Sequence, residues 1–273
     1  MKAINNYINM KHINTYIVEK LKINKSNLKK TKLTLFPETL NELSDMIRKE
    51  IQINGNECSL NHIDVSKLKS LEGLFNSSDL YNFDGDISEW DVSNVENMTI
   101  MYARCKFSGR NSDLSNWDVS NVKSMGGMFQ HNKVFNSDSI STWDTSSVEN
   151  MRYMFYNSVF NQDINSWDVS KVERFNYTFA ESEFNQPLDK WNVSRVTNFS
   201  SMFFCNYKFN QDISSWNVKS GKYFNQMFCG AINFKQNLKN WKTDRSDPYV
   251  DLMFSKTPMV SRKTLRPDFS YNK

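Results

Sequence analysis

Apolar positions along this chain recur in a block of about 25 residues. Its seven Trp residues are Trp90, Trp117, Trp143, Trp167, Trp191, Trp216 and Trp241, with gaps of 27, 26, 24, 24, 25 and 25 residues. Three residues before each Trp is Ile87, Leu114, Ile140, Ile164, Leu188, Ile213 or Leu238. Five residues after it comes a Val, as at Val95, Val122, Val148, Val172 and Val196. A Met or Phe follows at the eighth position, and a Met-Phe pair at the eleventh and twelfth, as in Met128-Phe129 and Met202-Phe203. An earlier copy lacks the Trp and reads Ile63-Asp64-Val65-Ser66, with Leu74-Phe75 behind it. A period this regular marks one structural unit copied along the chain. One such unit cannot bury six or seven apolar side chains alone, so stacked copies must build a shared core.

The spacing inside the block is a sustained 3.6 nowhere, nor a sustained 2.0. It predicts a coil with a short strand around 163–166, a turn at 167–170 and a short helical turn around 173–179. Stacking then gives an α+β repeat solenoid with short parallel strands. The expected structural core is the Trp column (Trp90, Trp117, Trp143, Trp167, Trp191, Trp216 and Trp241) together with Phe129, Phe155, Phe179, Phe203 and Phe228. Ahead of the repeats, Thr39-Leu40-Asn41-Glu42 forms a capping box, and Leu40, Leu43, Ile47 and Ile51 follow at helical spacing before Gly55. The reading is an amphipathic helix over 38–53 that covers the first coil. The expected organisation is a basic arm at 1–35, a capping helix at 36–57, about eight repeats at 58–254 and a basic tail at 255–273.

The string Phe160-Asn161-Gln162-Asp163-Ile164-Asn165-Ser166-Trp167-Asp168-Val169-Ser170 returns as Phe184-Asn185-Gln186-Pro187-Leu188 and Phe209-Asn210-Gln211-Asp212-Ile213, each followed by its own Trp. This pattern resembles the BspA-like surface-protein repeat, a relative of the leucine-rich repeats. The resemblance runs from about Cys58 to Phe254. It implies a right-handed solenoid used for binding or adhesion without catalysis, often at a bacterial or viral surface. Surface members usually carry a secretion or lipoprotein signal. This chain departs from them there: Met1–Lys22 lacks the apolar run of a signal peptide.

Polar residues keep the same frame. Asp91, Asp118, Asp144 and Asp168 directly follow their Trp, and Ser93, Ser120, Ser146 and Ser170 come two later. Asp and Ser side chains accept backbone N–H groups at bends, so turn capping is the first reading and a calcium ladder the second. The decay of the column to Asn192, Asn217 and Lys242 favours the turn.

Charge divides the chain. Residues 1–35 carry net +7, residues 255–273 net +4, and the middle net −7. Basic ends can contact an acidic surface. No stretch approaches the 18 apolar residues of a membrane span. The four cysteines, at 58, 105, 205 and 229, form no C-x-x-C pair. Buried thiols are the first reading, with a Cys205–Cys229 disulfide between neighbouring coils as the second. Free thiols without a secretion signal indicate a reducing compartment. The expected location is cytoplasmic or inside an assembled particle, with surface display only by a non-classical route.

His12, His62 and His131 stand apart in the repeat frame and pair with no Cys or carboxylate at metal-ligand spacing. No phosphate-binding Gly loop, G-x-S-x-G or H-E-x-x-H occurs. The expectation is no catalytic, cofactor or metal residue and no enzyme. It is a scaffold that binds a protein or a surface ligand, or else a structural component of an assembly such as a virion or surface layer. The residues that follow the Met-Phe pairs vary most between copies, and variable loops on a rigid frame carry recognition. Tyr156 and Tyr207, with Tyr102 and Phe204, are the candidate partner-binding residues, because aromatics with a polar tip anchor interfaces.

Overall fold

A computed structural model describes residues 31–269. The chain divides into Met1–Lys32 and a second unit, Leu33–Lys273. Most of the basic arm, where the sequence also predicts a weak helix over 9–22, lies outside the described residues, as does the last part of the basic tail.

The second unit opens with one α-helix, α1, at Leu40–Asn54. Thr39 Oγ1 accepts the N–H of Glu42, and the Glu42 carboxylate accepts the N–H of Glu38, so two free helix-start donors are satisfied by one pair of side chains. Gly55 takes φ +82° and ends the helix, its N–H donating to the Ile51 carbonyl. Leu43 and Ile47 are buried in the core that the repeats form. Arg48 pairs with Asp79 and Asp45, which fixes the outer side of α1 against the first coil.

Beyond α1 the described residues form a stack of coils without strands, which overturns the α+β solenoid of stacked parallel strands. Four short 3-10 turns, at Leu114–Asn116, Asp138–Ile140, Pro258–Val260 and Lys263–Leu265, are the remaining helical elements among the described residues. The stretch 163–166 holds no strand, and 173–179 holds no helical turn. Isolated parallel bridges take their place: Ser70, Asn97, Ser124, Asn150, Arg174, Asn198, Tyr223 and Tyr249 pair in succession, and two more, Leu35 with Ile63 and Ser59 with Asp86, lie at the start of the stack.

The backbone hydrogen bonds explain why the bridges never lengthen into strands. Met125, Gly127, Phe129 and His131 donate to the carbonyls of Asn150, Arg152, Met154 and Tyr156 on the next coil. The N–H groups between and after them turn inward: Met128 donates to Met125, Gln130 to Gly127 and Asn132 to Phe129. Donors thus alternate between the neighbouring coil and a turn within the same coil. A strand would commit this face of the chain to extended backbone. Here positive φ at the tenth and fourteenth positions after each Trp from Trp90 to Trp216 bends it repeatedly, as at Tyr153 (58°), Asn157 (52°), Tyr177 (60°) and Glu181 (53°). Every one of these backbone donors is still satisfied, which a buried coil requires.

Inside, the columns are continuous. Trp90, Trp117, Trp143, Trp167, Trp191, Trp216 and Trp241 are all buried, as are Phe129, Phe155, Phe179, Phe203 and Phe228. The column holds at both ends of the stack as well as in its middle. Trp90, the first, donates its indole N–H to Leu60 O at 2.9 Å, in the copy that lacks a Trp. Trp216 and Trp241, the last two, stack at 6.0 Å with ring planes 7° apart. Their N–H groups reach Leu188 O at 2.8 Å and Ile213 O at 3.1 Å. The central indoles do the same: Trp143 to Leu114 O, Trp167 to Ile140 O and Trp191 to Ile164 O, all at 3.0 Å. Two Phe residues per coil stack within it, as Phe155 on Phe160 at 4.1 Å, and each stacks on its equivalent in the next, as Phe155 on Phe179 at 5.8 Å. The Asn-Gln of the repeat string forms an amide ladder. Asn161 Oδ1 accepts from Asn185 N–H, Asn185 Oδ1 from Asn210 N–H, and the following Gln side chain donates to the Asn carbonyl one coil back.

Candidate functional site

Positive φ forces Cβ against the backbone and costs roughly 1–2 kcal/mol per L-residue. Glycine relieves it, and Gly73, Gly127 and Gly230 occupy these positions in three coils. Elsewhere large side chains stand there: Ile100, Arg104, His131, Tyr153, Tyr177 and Glu181 among them. They form a strip on the flank of the stack.

The strip is densest across the coils of Trp117, Trp143 and Trp167. Tyr153 and Tyr177 stack face to face at 4.8 Å, with ring planes 4° apart. Tyr156 stands edge-on to both, at 5.8 and 6.1 Å, and edge-on to His131 at 4.9 Å. Its hydroxyl donates to Glu181 Oε1 at 3.3 Å. The Asn157 side chain meets His131 Nδ1 at 2.8 Å and Lys133 Nζ on its other side. Partial burial, with Arg104 and Lys133 nearby, holds the His131 imidazole below its ordinary pKa and favours the neutral ring. Burial, reinforced by Glu181, raises the Tyr156 phenol, so the hydroxyl stays a donor at neutral pH.

A cleft of about 370 Å³ adjoins this cluster, lined by Asn157, Glu181, Ser182, Glu183, Cys205, Tyr207 and Lys208. Tyr207 rises from its rim with 55% of its surface exposed. Phe204 is half-buried behind it, and its carbonyl accepts the Glu181 N–H at 2.7 Å. Glu181 therefore joins three of the four residues singled out from the sequence: Tyr156 through its hydroxyl, Phe204 through the backbone, and Tyr207 across the cleft. Sequence reading missed Tyr153, Tyr177 and His131. The signal available was two Tyr residues at the tenth position after successive Trp residues, where the copy before them carries Gly127.

Tyr102 is elsewhere, and this corrects its place among the partner-binding candidates. It is fully buried between Phe75 at 5.5 Å, Phe107 at 4.3 Å and Phe129 at 5.4 Å. It occupies the Phe position of its own Met-Phe pair, Met101-Tyr102, so it faces the core and presents nothing to a partner. Its hydroxyl has no hydrogen-bond partner among the described residues, and leaving a buried polar group unpaired costs about 1–3 kcal/mol. Tyr102→Phe is expected to stabilise the protein by about 1–2 kcal/mol, read as a rise in the urea midpoint at constant m-value.

The Asp column is occupied by turns. Asp91 and Asp118 each accept both the N–H and the hydroxyl of the Ser two residues on, and Asp144 and Asp168 accept the N–H. Bonding to Ser146 holds the Asp144 carboxyl below the usual carboxylate range. The thiols are all free, so Cys205 and Cys229 form no disulfide; Cys105 and Cys229 are buried, while Cys58 and Cys205 are only half-buried. Burial pushes the Cys105 thiol up to about 12, where it stays protonated. No helix among the described residues is long and apolar enough to cross a membrane.

Four overlapping stretches of the chain, residues 15–110, 40–161, 107–188 and 157–266, match a single family, described as Mycoplasma protein of unknown function, DUF285. No curated protein and no solved structure matches the chain.

Proposed function

The chain belongs to the DUF285 family, and from that premise we propose that it is a non-enzymatic repeat scaffold that binds a protein or a surface ligand through the Tyr153–Tyr177 strip and the adjoining cleft. The observation that carries this reading is the side-chain choice at the positive-φ positions. The repeat accepts Gly there, at Gly73 and Gly127, yet Tyr153 and Tyr177 stand in the same column at a conformational cost. Both rings are half-buried on the surface of the stack, and backbone strain retained at such a position points to use of the side chain it carries. Rigid aromatics with hydroxyl tips, beside Glu181 and Glu183, supply contact area with little entropy to lose on binding. The likeness of the repeat string to BspA-like surface proteins supports the same adhesive role.

A second reading, a structural component of a larger assembly, is supported by the apolar residues exposed on the last coil, Val250 and Leu252.

The test is a Tyr156→Ser, Tyr207→Ser double variant, immobilised beside the wild type and exposed to host-cell surface proteins and glycans. Both rings lie on the flank, so the variant should keep the wild-type circular dichroism and melting temperature. Retention of any ligand that the wild type captures should fall at least about tenfold, the loss of one hot-spot contact. Equal retention by a folded double variant refutes the assignment of the site.

A further inference from the structure

The coil-to-coil hydrogen-bond register stops unfinished at both ends of the stack. Phe224, Gln226, Phe228 and Gly230 donate to the carbonyls of Tyr249, Asp251, Met253 and Ser255 on the last coil. On that coil the same positions are Val250, Leu252, Phe254 and Lys256, and their N–H groups have no acceptor among the described residues. At the other end Leu71, Gly73 and Phe75 donate forward normally, but the carbonyls of Ser70, Glu72, Leu74 and Asn76 accept nothing among the described residues. α1 seals the core there through Leu43 and Ile47 and bonds none of these carbonyls. One end is a row of donors and the other a row of acceptors, in the register of the seven bridged junctions between them.

Apolar surface and charge follow the same division. Of the large apolar residues exposed by more than a third, Leu33, Phe36 and Ile53 lie at the acceptor end and Tyr249, Val250, Leu252 and Val260 at the donor end, with Tyr81, Val134, Tyr207 and Ile232 along the sides between them. The donor row borders a groove of about 680 Å³ whose walls include Val250, Leu252, Val260 and Phe269. Residues 33–81 carry eight acidic and four basic side chains; residues 250–269 carry four basic and two acidic ones. An extended strand is a poor fit to the donor row, because its edge presents N–H groups as well as carbonyls. Over the stretch equivalent to Leu71–Asn76 a coil of this repeat turns carbonyls and no N–H groups to the coil before it; its backward-facing N–H groups, such as those of Lys123 and Ser124, lie just ahead of that stretch.

We propose that the donor edge of the last coil, at Val250–Lys256, receives the acceptor edge of the first coil, at Ser70–Asn76, of a second copy of this chain, so that copies join head to tail. Such a contact is heterologous, leaves one free end of each kind and grows past the dimer. It supplies the partner for the assembly reading above. The Tyr153–Tyr177 strip lies on neither end, so failure here leaves the ligand-binding test standing.

The experiment is sedimentation velocity on the full chain over a wide concentration series, with two variants and their mixture for comparison. The wild type should show a weight-average mass that climbs beyond the dimer. A tail variant, Val250→Lys with Leu252→Lys, and a head variant, Glu72→Lys with Asn76→Lys, should each stay monomeric alone. Mixed together they should form dimers and stop, because each retains the one end that the other lacks. Circular dichroism and Trp fluorescence establish that both variants are folded. The wild-type series decides the matter without them: a monomer at every concentration, or a plateau at the dimer, overturns head-to-tail growth. Folded variants that assemble like the wild type, or a mixture that stays monomeric, place the contact elsewhere and overturn the proposal too.

Discussion

Trp167→Ala is expected to lower the unfolding free energy by about 3–5 kcal/mol, the range for emptying a large aromatic site in a packed core. The indole is buried, stacks on Trp143 at 6.5 Å and lies beside Phe155. Its N–H also ties two coils together through Ile140 O. Truncation therefore opens a cavity at a junction and removes a cross-coil bond at the same point. That sum is a large share of the roughly 5–15 kcal/mol that holds a typical domain. Trp167→Phe keeps most of the ring but not the bond, and should cost about 1–2 kcal/mol. The position matters as much as the size. In a stack where each coil touches only its neighbours, a weak central junction uncouples the two sides. Urea unfolding of Trp167→Ala should accordingly lose its single transition, with one side of the stack melting before the other. A single, unshifted transition would show that the Trp column does not hold the coils together.

The period and the core are legible in the sequence because burial dictates chemistry. A position enclosed by other side chains must be apolar in every copy, so Ile164, Trp167, Val172 and Phe175 announce their column by identity alone. The same identity carries the column out to Trp90 at one end and to Trp216 and Trp241 at the other, all of them buried. The path of the backbone between those columns is not legible in the same way. Strand and turn differ here by the sign of φ at two positions per coil, and Ile100, Tyr177 and Glu181 are not residues whose presence signals positive φ. Only Gly73, Gly127 and Gly230 hint at it, and three glycines spread over the copies are easily taken for packing. The strand expected at 163–166 rests on β-favouring neighbours that the coil uses as core instead. Tyr102 departs from expectation for a simpler reason. It is the second member of its Met-Phe pair, and alignment to Phe129 places it inside; counted as the start of a variable loop, it is displaced by one step.

Asn132 and Asn206 also stand among the variable loops, where a lone Asn after a hydrophobic pair ordinarily faces water. Both are fully buried, and each ties two coils together through its amide. Asn206 Nδ2 donates to the carbonyls of Phe179, at 3.2 Å, and Phe184, at 3.0 Å, on the coil before. Its Oδ1 accepts the N–H groups of Lys208, at 3.0 Å, and Phe209, at 2.9 Å, on its own coil. Asn132 repeats the arrangement with Phe107 O, Val134 N–H and Phe135 N–H. One amide thus supplies both donor and acceptor where the chain turns from the positive-φ segment back toward the Asn-Gln ladder. Asn206→Ala removes these four bonds and a fifth, to Ser182 Oγ at 3.3 Å, and leaves the Phe209 N–H and the Phe184 carbonyl buried without those partners. At about 1–3 kcal/mol for each buried group left unpaired, the expected loss is about 3 kcal/mol. Asn206→Asp restores the acceptor but puts a carboxylate against two carbonyls, so it should fare no better near neutral pH and recover in part as the pH falls and the carboxyl regains its proton. Equilibrium urea titrations of the two variants at neutral and mildly acidic pH measure both effects. An Asn206→Ala variant as stable as the wild type would mean that water replaces the amide, and that the turn is set by the Phe columns alone.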